Sequence, residues 1–165
     1  MSELRTNRII PRDGLVSGAS GGVIQVVHFA LATGSTVTVN SSTFVDVLTA
    51  SITPTRSDSK ILVQVTSAPK TNGGSANFQF GAQILRNSTT IMYDNEYLQM
   101  NNGYAPNAFT GAYTVLDSPA STSALTYKFR CSRSVSGREL YFENSTDNTG
   151  NYYNKHTMTL MEISG

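Results

Sequence analysis

The sequence contains a single cysteine, Cys131, no tryptophan and few charged residues. One cysteine excludes an intrachain disulfide framework and any zinc site built from several cysteines. Charged residues make up 14 % of the chain, against a usual value of about 25 %, and they nearly cancel at a net charge of +1. Such a chain lacks a broad basic surface for nucleic acid or an anionic membrane. No apolar run approaches the roughly 18 residues of a spanning helix, so we expect no membrane insertion.

Small polar residues dominate the composition. Serine and threonine occur 20 times each, and asparagine and glycine 13 times each, so these four types fill 40 % of the 165 positions. The length fits one domain with its own core. Helix-favouring residues are sparse, whereas Thr, Val, Tyr, Phe and Ile form short runs separated by Gly, Asn, Pro and Ser. This pattern predicts an all-β fold, an antiparallel sandwich or barrel of about nine or ten strands.

The strand pattern also predicts core positions. Residues 23–31 are apolar on both parities, which predicts a first strand buried on two sides. Residues 60–68, 76–86 and 125–131 alternate between apolar and polar side chains, as in half-buried strands. Asn87 and its neighbour Ser88 should form the turn after the second of these strands. The predicted inward-facing residues are Ile61, Val63, Val65, Phe78, Phe80, Ala82, Ile84, Tyr127, Phe129 and Cys131.

Residues 1–22 differ from the remaining domain, residues 23–165. They lack the apolar stretch of a secretion signal and end in a Gly/Ser hinge. Because so short a segment cannot form its own core, we expect an anchoring arm that packs on another protein, and the alternative is a disordered tail. The anchoring residues are expected to be Arg5, Arg8, Ile9, Ile10 and Arg12. The arginines favour an acidic partner surface.

Four segments resemble structural proteins of tailed bacteriophages: SDSKILVQV, FGAQILRNSTTI, AYTVLDSPASTSALTYKFR and HTMTLMEISG. That family comprises fibre-like or spike-like proteins that are common among marine phages and cyanophages. The opening LRTNRIIPRDG, followed by the Gly/Ser hinge, also resembles the N-termini of such fibre proteins. The whole pattern is similar to compact trimeric jelly rolls of the tumour-necrosis-factor-like type, and the resemblance spans nearly the entire chain.

The resemblance implies a β-sandwich of jelly-roll type that assembles as a homotrimer. It implies a structural virion protein, a tail fibre or tip protein that contributes to host attachment and joins other virion proteins through its arm. The alternative is a capsid decoration or head-fibre protein. In either case we expect the protein on the surface of the phage particle after synthesis in the host cytoplasm. A host surface glycan or protein is the further partner that this function implies.

Large apolar side chains near the C-terminus support a subunit interface independently of the resemblance. Tyr152, Tyr153, Met158 and Met161 fall on both parities and exceed what one sandwich core needs. Surplus apolar surface on a chain with little charge is typical of a subunit interface. The alternative is that these residues fill the core of a monomer, because periodicity alone does not separate the two.

Two predicted loops, residues 94–108 and 144–154, have the composition of a recognition surface. Tyrosine offers a large contact area at low entropic cost, and asparagine and glycine offer adaptable hydrogen bonds. Aromatic rings beside amide and carboxylate groups also suit the faces of sugars. The candidate receptor or partner contacts are Tyr97, Asn101, Asn102, Tyr104, Asn107, Tyr152 and Tyr153. The alternatives are ordinary surface loops, or loops that contact a neighbouring virion protein.

Candidate catalytic and cofactor motifs are weak, so we expect neither an enzyme nor a cofactor or metal. His28 and His156 have no partner at a metal-binding spacing, and each is expected to satisfy a local polar contact within a strand. Cys131 is expected to be a buried small hydrophobe, and no serine stands in a nucleophile-elbow motif. A glycan-degrading enzyme, the least favoured alternative, would need a carboxylate pair. Its possible members are Asp94, Glu96, Asp117, Glu139, Glu143 and Asp147.

Overall fold

The β-branched and aromatic runs of the sequence form strands joined by turns. The computed structural model describes residues 22–71, 78–100, 110–133, 139–146, 152–153 and 156–165, with the backbone alone at 78, 95–100, 145–146 and 152–153. Within these ranges thirteen strand segments occur: β1 Val23–Ala30, β2 Thr36–Val39, β3 Val45–Ile52, β4 Lys60–Ser67, β5 Lys70–Thr71, β6 Phe78–Arg86, β7 Thr89–Met100, β8 Gly111–Asp117, β9 Leu125–Arg133, β10 Leu140–Glu143, β11 Ser145–Thr146, β12 Tyr152–Tyr153 and β13 Thr157–Ile163. The described ranges contain no helix that could cross a membrane.

The eight strands of at least seven residues form two four-stranded antiparallel sheets. The first sheet has the order β1-β13-β4-β8, and the second has the order β3-β9-β6-β7. The pairing is nested: β1 pairs with β13, β3 with β9, β4 with β8, and β6 with β7. This nesting is that of one long hairpin rolled into two layers, so the predicted sandwich of jelly-roll type is confirmed. The sequence predicts nine or ten strands, and the excess arises from short segments of two to four residues: β2, β5, β10, β11 and β12.

The core lies between the two sheets and follows the predicted alternation. Ile61 and Val63 of β4 and Tyr127 and Phe129 of β9 are fully buried, as is Cys131. A small third sheet, in the order β2-β10-β5, adds further buried side chains to this core. The residues that it contributes are Val39, Leu140 and Phe142. Period-two alternation therefore identified these inward faces correctly.

The prediction that the first strand is buried on two sides is wrong. Val23 and Val26 of β1 are 56 % and 55 % exposed. Because β1 is the edge strand of the first sheet, it pairs with β13 alone, and no described segment covers its outward side. Apolar residues on both parities therefore do not mean burial of this strand within a single chain.

Both predicted recognition loops contain strand structure. β7 continues to Met100, so residues 94–100 belong to a strand opposite β6, and the prediction of a loop is wrong for these residues. In the second predicted loop, β11 and β12 pair antiparallel. Polar side chains are compatible with an edge strand such as β7, because backbone hydrogen bonds to its neighbour hold the strand. Composition alone does not reveal that neighbour.

A polar cluster joins the two sheets across the end of the core. Asp117 of β8 accepts two hydrogen bonds from Arg86 Nη1 of β6, at 2.8 and 2.9 Å. It also accepts a hydrogen bond from Tyr127 Oη of β9 at 2.7 Å. Burial raises the pKa of the Tyr127 hydroxyl, and its hydrogen bond to the Asp117 carboxylate raises that pKa further. The phenol is therefore a fixed donor to Asp117, and the first sheet is tied to the second through charge-assisted bonds.

A second buried carboxylate, Glu162 of β13, links its strand to the neighbouring β1 and to the β3–β4 connection. Its oxygens accept hydrogen bonds from Gln25 Nε2 at 2.6 Å, from Thr55 N at 2.8 Å and from Thr55 Oγ1 at 2.9 Å. Burial alone would raise the pKa of Glu162, but the hydrogen bonds outweigh burial and hold this pKa at about 2. Hydrogen bonds to the ionised form have this effect because they are lost on protonation.

We expect Glu162 to make the stability of the fold depend on acid pH. Its pKa is about 2 when folded, below the ordinary value of 4.5, so its contribution is present above pH 4.5 and is lost as the pH falls toward 2. Chemical denaturation of the wild type and of Glu162→Gln between these pH values measures the effect. The free energy of unfolding of the wild type should fall more steeply. Parallel curves would contradict the assignment.

Candidate functional site

The predicted contact residues fall largely outside the described side chains. Tyr97 lies on β7, and Tyr152 and Tyr153 form β12, each with its backbone alone described. The other predicted contacts and the anchoring arm lie outside the described residues: Asn101, Asn102, Tyr104, Asn107, Arg5, Arg8, Ile9, Ile10 and Arg12. All of these remain predictions. The described part of the chain instead presents two contrasting sheet faces, one on each outer side of the sandwich.

The outward side of the first sheet, called here the first-sheet face, consists of rows that run across the strands. The strand register places Val26, Met161, Leu62 and Leu116 side by side, one from each strand. The next two rows along the strands are His28, Thr159, Gln64 and Thr114, and then Ala30, Thr157, Thr66 and Ala112. An apolar row thus crosses all four strands beside a neutral polar row.

The first-sheet face is unusually poor in charge and rich in exposed apolar area. At its two edges Val26 is 55 % exposed and Leu116 is 52 % exposed. Beyond the apolar row lie Val23, Ile163 and Lys60, and Lys60 is the one side chain in these rows with a formal charge at pH 7. A solvated face of an antiparallel sheet is normally polar. The first-sheet face has instead the composition of a surface that another molecule covers.

Two of the four C-terminal residues predicted at an interface can be placed. Met158 is fully buried in the core, so its assignment to a surplus outer surface is wrong. It lies on the inward parity of β13, opposite Val65. Met161 lies on the first-sheet face between Val26 and Leu62, half-buried in this single chain. The alternative that these residues fill a monomer core therefore holds for Met158.

The outward side of the second sheet, called here the second-sheet face, is charged. Asp46, Arg130, Gln83 and Tyr93 form one row across its four strands. The Asp46 carboxylate lies 2.6 Å from Lys128 Nζ and 2.6 Å from Arg130 Nε. Partial burial alone would raise the pKa of Asp46, but bonds and charges from these two cations outweigh it and lower this pKa. The three groups together carry one net positive charge.

An aromatic shelf lies on the same face. The Phe44 ring crosses the sheet above Gly81 and packs against Tyr93, with ring centroids 5.8 Å apart. A Cβ at Gly81 would lie 3.1 Å from Phe44 Cζ, so the missing side chain provides the space for the ring. Arg130 Nη2 donates to the Phe44 carbonyl oxygen at 2.7 Å and fixes the start of the shelf. Tyr93 remains 56 % exposed.

Sequence reasoning did not identify the aromatic shelf. A glycine inside an alternating strand is the available signal, because such a glycine often marks a close approach of another group. The sequence does not say which ring approaches, since Phe44 and Gly81 are far apart along the chain. Only the order of strands brings them together.

The histidines and the cysteine have the local roles that the sequence predicted. His156 is fully buried just before β13, where Nε2 donates to the Glu143 carbonyl oxygen at 3.1 Å and Nδ1 accepts from Ala68 N at 3.2 Å. Burial lowers the pKa of His156. His28 is 2.9 Å from Thr159 Oγ1 on the first-sheet face. Cys131 lies in the core, and burial raises the pKa of its thiol.

Three of the carboxylates considered for a catalytic pair have separate partners. Asp117 binds Arg86, Glu143 pairs with Lys70, and the Tyr141 hydroxyl donates to Glu139. Among the described residues, no three His, Cys, Asp or Glu side chains come together as metal ligands. No protein-family model matches the chain, and no curated protein matches it.

Proposed function

We propose that this chain is the subunit of a homotrimeric structural protein of a tailed-phage virion, a tail fibre or tip protein that contributes to host attachment. The first-sheet face is the observation that carries the assembly part of the proposal. The resemblance of the sequence to phage fibre and spike proteins supports the virion part and the number of subunits. The jelly-roll sandwich is consistent with both.

A second copy of the same chain is the occupant that fits the first-sheet face best. Removing the apolar row from Val26 to Leu116 from water is favourable, so its burial would stabilise a contact between two copies. The adjoining row of His28, Thr159, Gln64 and Thr114 contains both hydrogen-bond donors and acceptors, so it can pair with an identical row. Because the rows carry no carboxylate and only Lys60 as a cation, copies can meet without burying many charges.

The contrast between the two faces supports this orientation. The second sheet carries Asp46, Lys128 and Arg130 outward, whereas the first sheet carries neutral side chains across its centre. Charged residues are depleted at the centre of subunit interfaces and common on surfaces that stay in water. The first sheets therefore face the other subunits, and the second sheets face the outside of the assembly.

A paired substitution on the first-sheet face should dissociate the assembly. Val26→Glu combined with Leu116→Glu places two carboxylates per subunit in the contact, where they would be desolvated without partners. Both positions are more than half exposed in one chain, so each subunit should still fold. Light scattering during size exclusion should give three times the 17.8 kDa chain mass for the wild type and the chain mass for the variant.

Thr49→Glu is the matched control, because Thr49 lies exposed on the second-sheet face opposite Lys128. It should leave the trimer intact. A wild type that is monomeric at micromolar concentration would overturn the trimer. A variant that keeps the trimeric mass would overturn the first-sheet face as the subunit contact.

The virion part of the proposal has its own test. Antibody against the purified chain, applied to intact phage particles, should label the tail at its fibres or tip. Label on the capsid would replace this position by that of a decoration or head-fibre protein. Turnover of a host polysaccharide by the purified chain would favour the enzymatic alternative instead.

A further inference from the structure

The second-sheet face carries Tyr93, Gln83 and Arg130 in one row, and Lys128 lies beside this row on the same strand as Arg130. We propose that this row binds an acidic oligosaccharide, with one sugar ring packed on Tyr93 and a sugar carboxylate at Arg130 and Lys128. The inference rests on the proposed attachment function and names the class of ligand that the outer face of the assembly would recognise.

The aromatic end of the row is preformed for packing on a flat ligand. Phe44 fills the space above Gly81 and supports one side of Tyr93, so the tyrosine ring is held while 56 % of the residue stays exposed. The face of an aromatic ring carries partial negative charge, and the polarised C–H groups of a sugar pack favourably against it. A rigid aromatic side chain also loses little entropy when a ligand binds.

The opposite end of the row has the charge that complements a carboxylate. Asp46 accepts a hydrogen bond from Lys128 and forms an ion pair with Arg130, and the two cations exceed its single negative charge. The side chains of Lys128 and Arg130 are 35 % and 27 % exposed, so a ligand can reach them from solvent. The next carboxylate along β7, Asp94, pairs with the fully buried Ala82 and so lies on the opposite parity from Tyr93. A planar guanidinium beside an ammonium is a favourable environment for a carboxylate.

The spacing of the two ends suits an oligosaccharide better than one sugar. Tyr93 and Arg130 lie two strands apart, which places them about 10 Å from each other along the row. Gln83 lies between them, and its amide donates to Thr90 Oγ1 at 2.8 Å. That bond holds the Gln83 amide in place, and the amide can then form hydrogen bonds with the hydroxyls of linked sugars. The cations distinguish an acidic glycan from a neutral one, and the aromatic ring distinguishes a glycan from other anions.

Assembly would present this row several times. With the first sheets against one another, each subunit displays its second-sheet face outward. Weak sites on one rigid assembly gain avidity when they engage a polymer together. The single-site affinity can therefore be low, with a Kd of about 1 mM, and still support attachment.

Ligand-observed NMR with the full chain tests the proposal. The probes are a linear hexasaccharide of uronic acids, neutral maltohexaose and a single-stranded oligonucleotide of similar length. The wild type should bind the uronic hexasaccharide, with saturation transfer strongest at the protons of one sugar. Tyr93→Ala and Lys128→Gln should each weaken this binding about tenfold. Ser51→Ala, a truncation on the same face and outside the row, is the matched control and should bind as the wild type does.

Each remaining outcome contradicts the proposal in a recognisable way. Equal binding of maltohexaose would remove the role of the cations, and equal binding of the oligonucleotide would reduce the site to unspecific charge attraction. Undiminished binding by Tyr93→Ala would show that no sugar ring packs on Tyr93. Light scattering on the same samples separates this proposal from the trimer: a trimer that does not bind refutes the glycan site alone, and a monomer that binds refutes the assembly alone.

Discussion

Truncation of Phe129 to alanine should lower the free energy of unfolding by about 3–5 kcal/mol. Phe129 is fully buried on β9, and its ring packs between Tyr113 of the first sheet and Phe142 of the small sheet, with centroids 5.6 and 6.4 Å away. Three sheets thus meet at one ring. Its removal loses the transfer free energy of the ring and leaves a cavity that none of the three sheets can fill without shifting its backbone.

Urea denaturation at one protein concentration measures this loss, because any subunit association makes apparent stability depend on concentration. Tyr93→Ala is the matched control, an aromatic truncation at a position 56 % exposed. It should cost less than about 1 kcal/mol. A loss at Phe129 no greater than that of Tyr93→Ala would show that the two sheets are not packed on this ring.

Asp117→Asn should cost about 3 kcal/mol, the second largest effect that we expect. The change keeps the shape of the side chain but removes the charge that compensates Arg86 and leaves one oxygen for two donors, Arg86 and Tyr127. Breaking a buried ion pair costs about 3–5 kcal/mol, and the lower end applies because the Arg86 side chain is 23 % exposed. Denaturation at neutral pH measures the loss.

A double-mutant cycle tests whether this cost belongs to the pair. Arg86→Met removes the other charge, and the double variant should cost less than the sum of the single variants by at least about 1 kcal/mol. Arg56→Met breaks the exposed pair of Arg56 with Asp58 and is the control, with no measurable loss expected. Additive single effects would show that Asp117 and Arg86 contribute independently.

Local patterns were sufficient to predict the inward faces of β4, β6 and β9. Val63 on β4 and Ile84 on β6 are inward because apolar and polar residues alternate around them, and both are fully buried. Asn87 forms the predicted hairpin turn with a φ of 53°, a conformation that asparagine tolerates. These features depend on residues that are close together along the chain, so the sequence pattern contains them.

The candidate sites depended on neighbours across the sheets. The sequence shows that residues 23–31 are apolar, but burial of Val26 depends on whether another strand or another molecule covers β1. It likewise shows an isolated glycine, Gly81, but not that Phe44 occupies the space above it. Such contacts join residues distant in the chain, so no periodicity encodes them.

Short alternating runs of β-branched and aromatic residues determined an all-β fold, and the scarcity of charge and cysteine excluded a broad basic surface and a disulfide framework. These properties act through solvent exposure and local backbone preference, which each residue carries with it. Only the tertiary structure decided where the few charges went. Strand order placed Asp46, Lys128 and Arg130 together on one sheet and left the centre of the other neutral, because cross-strand register joins residues from separate parts of the chain.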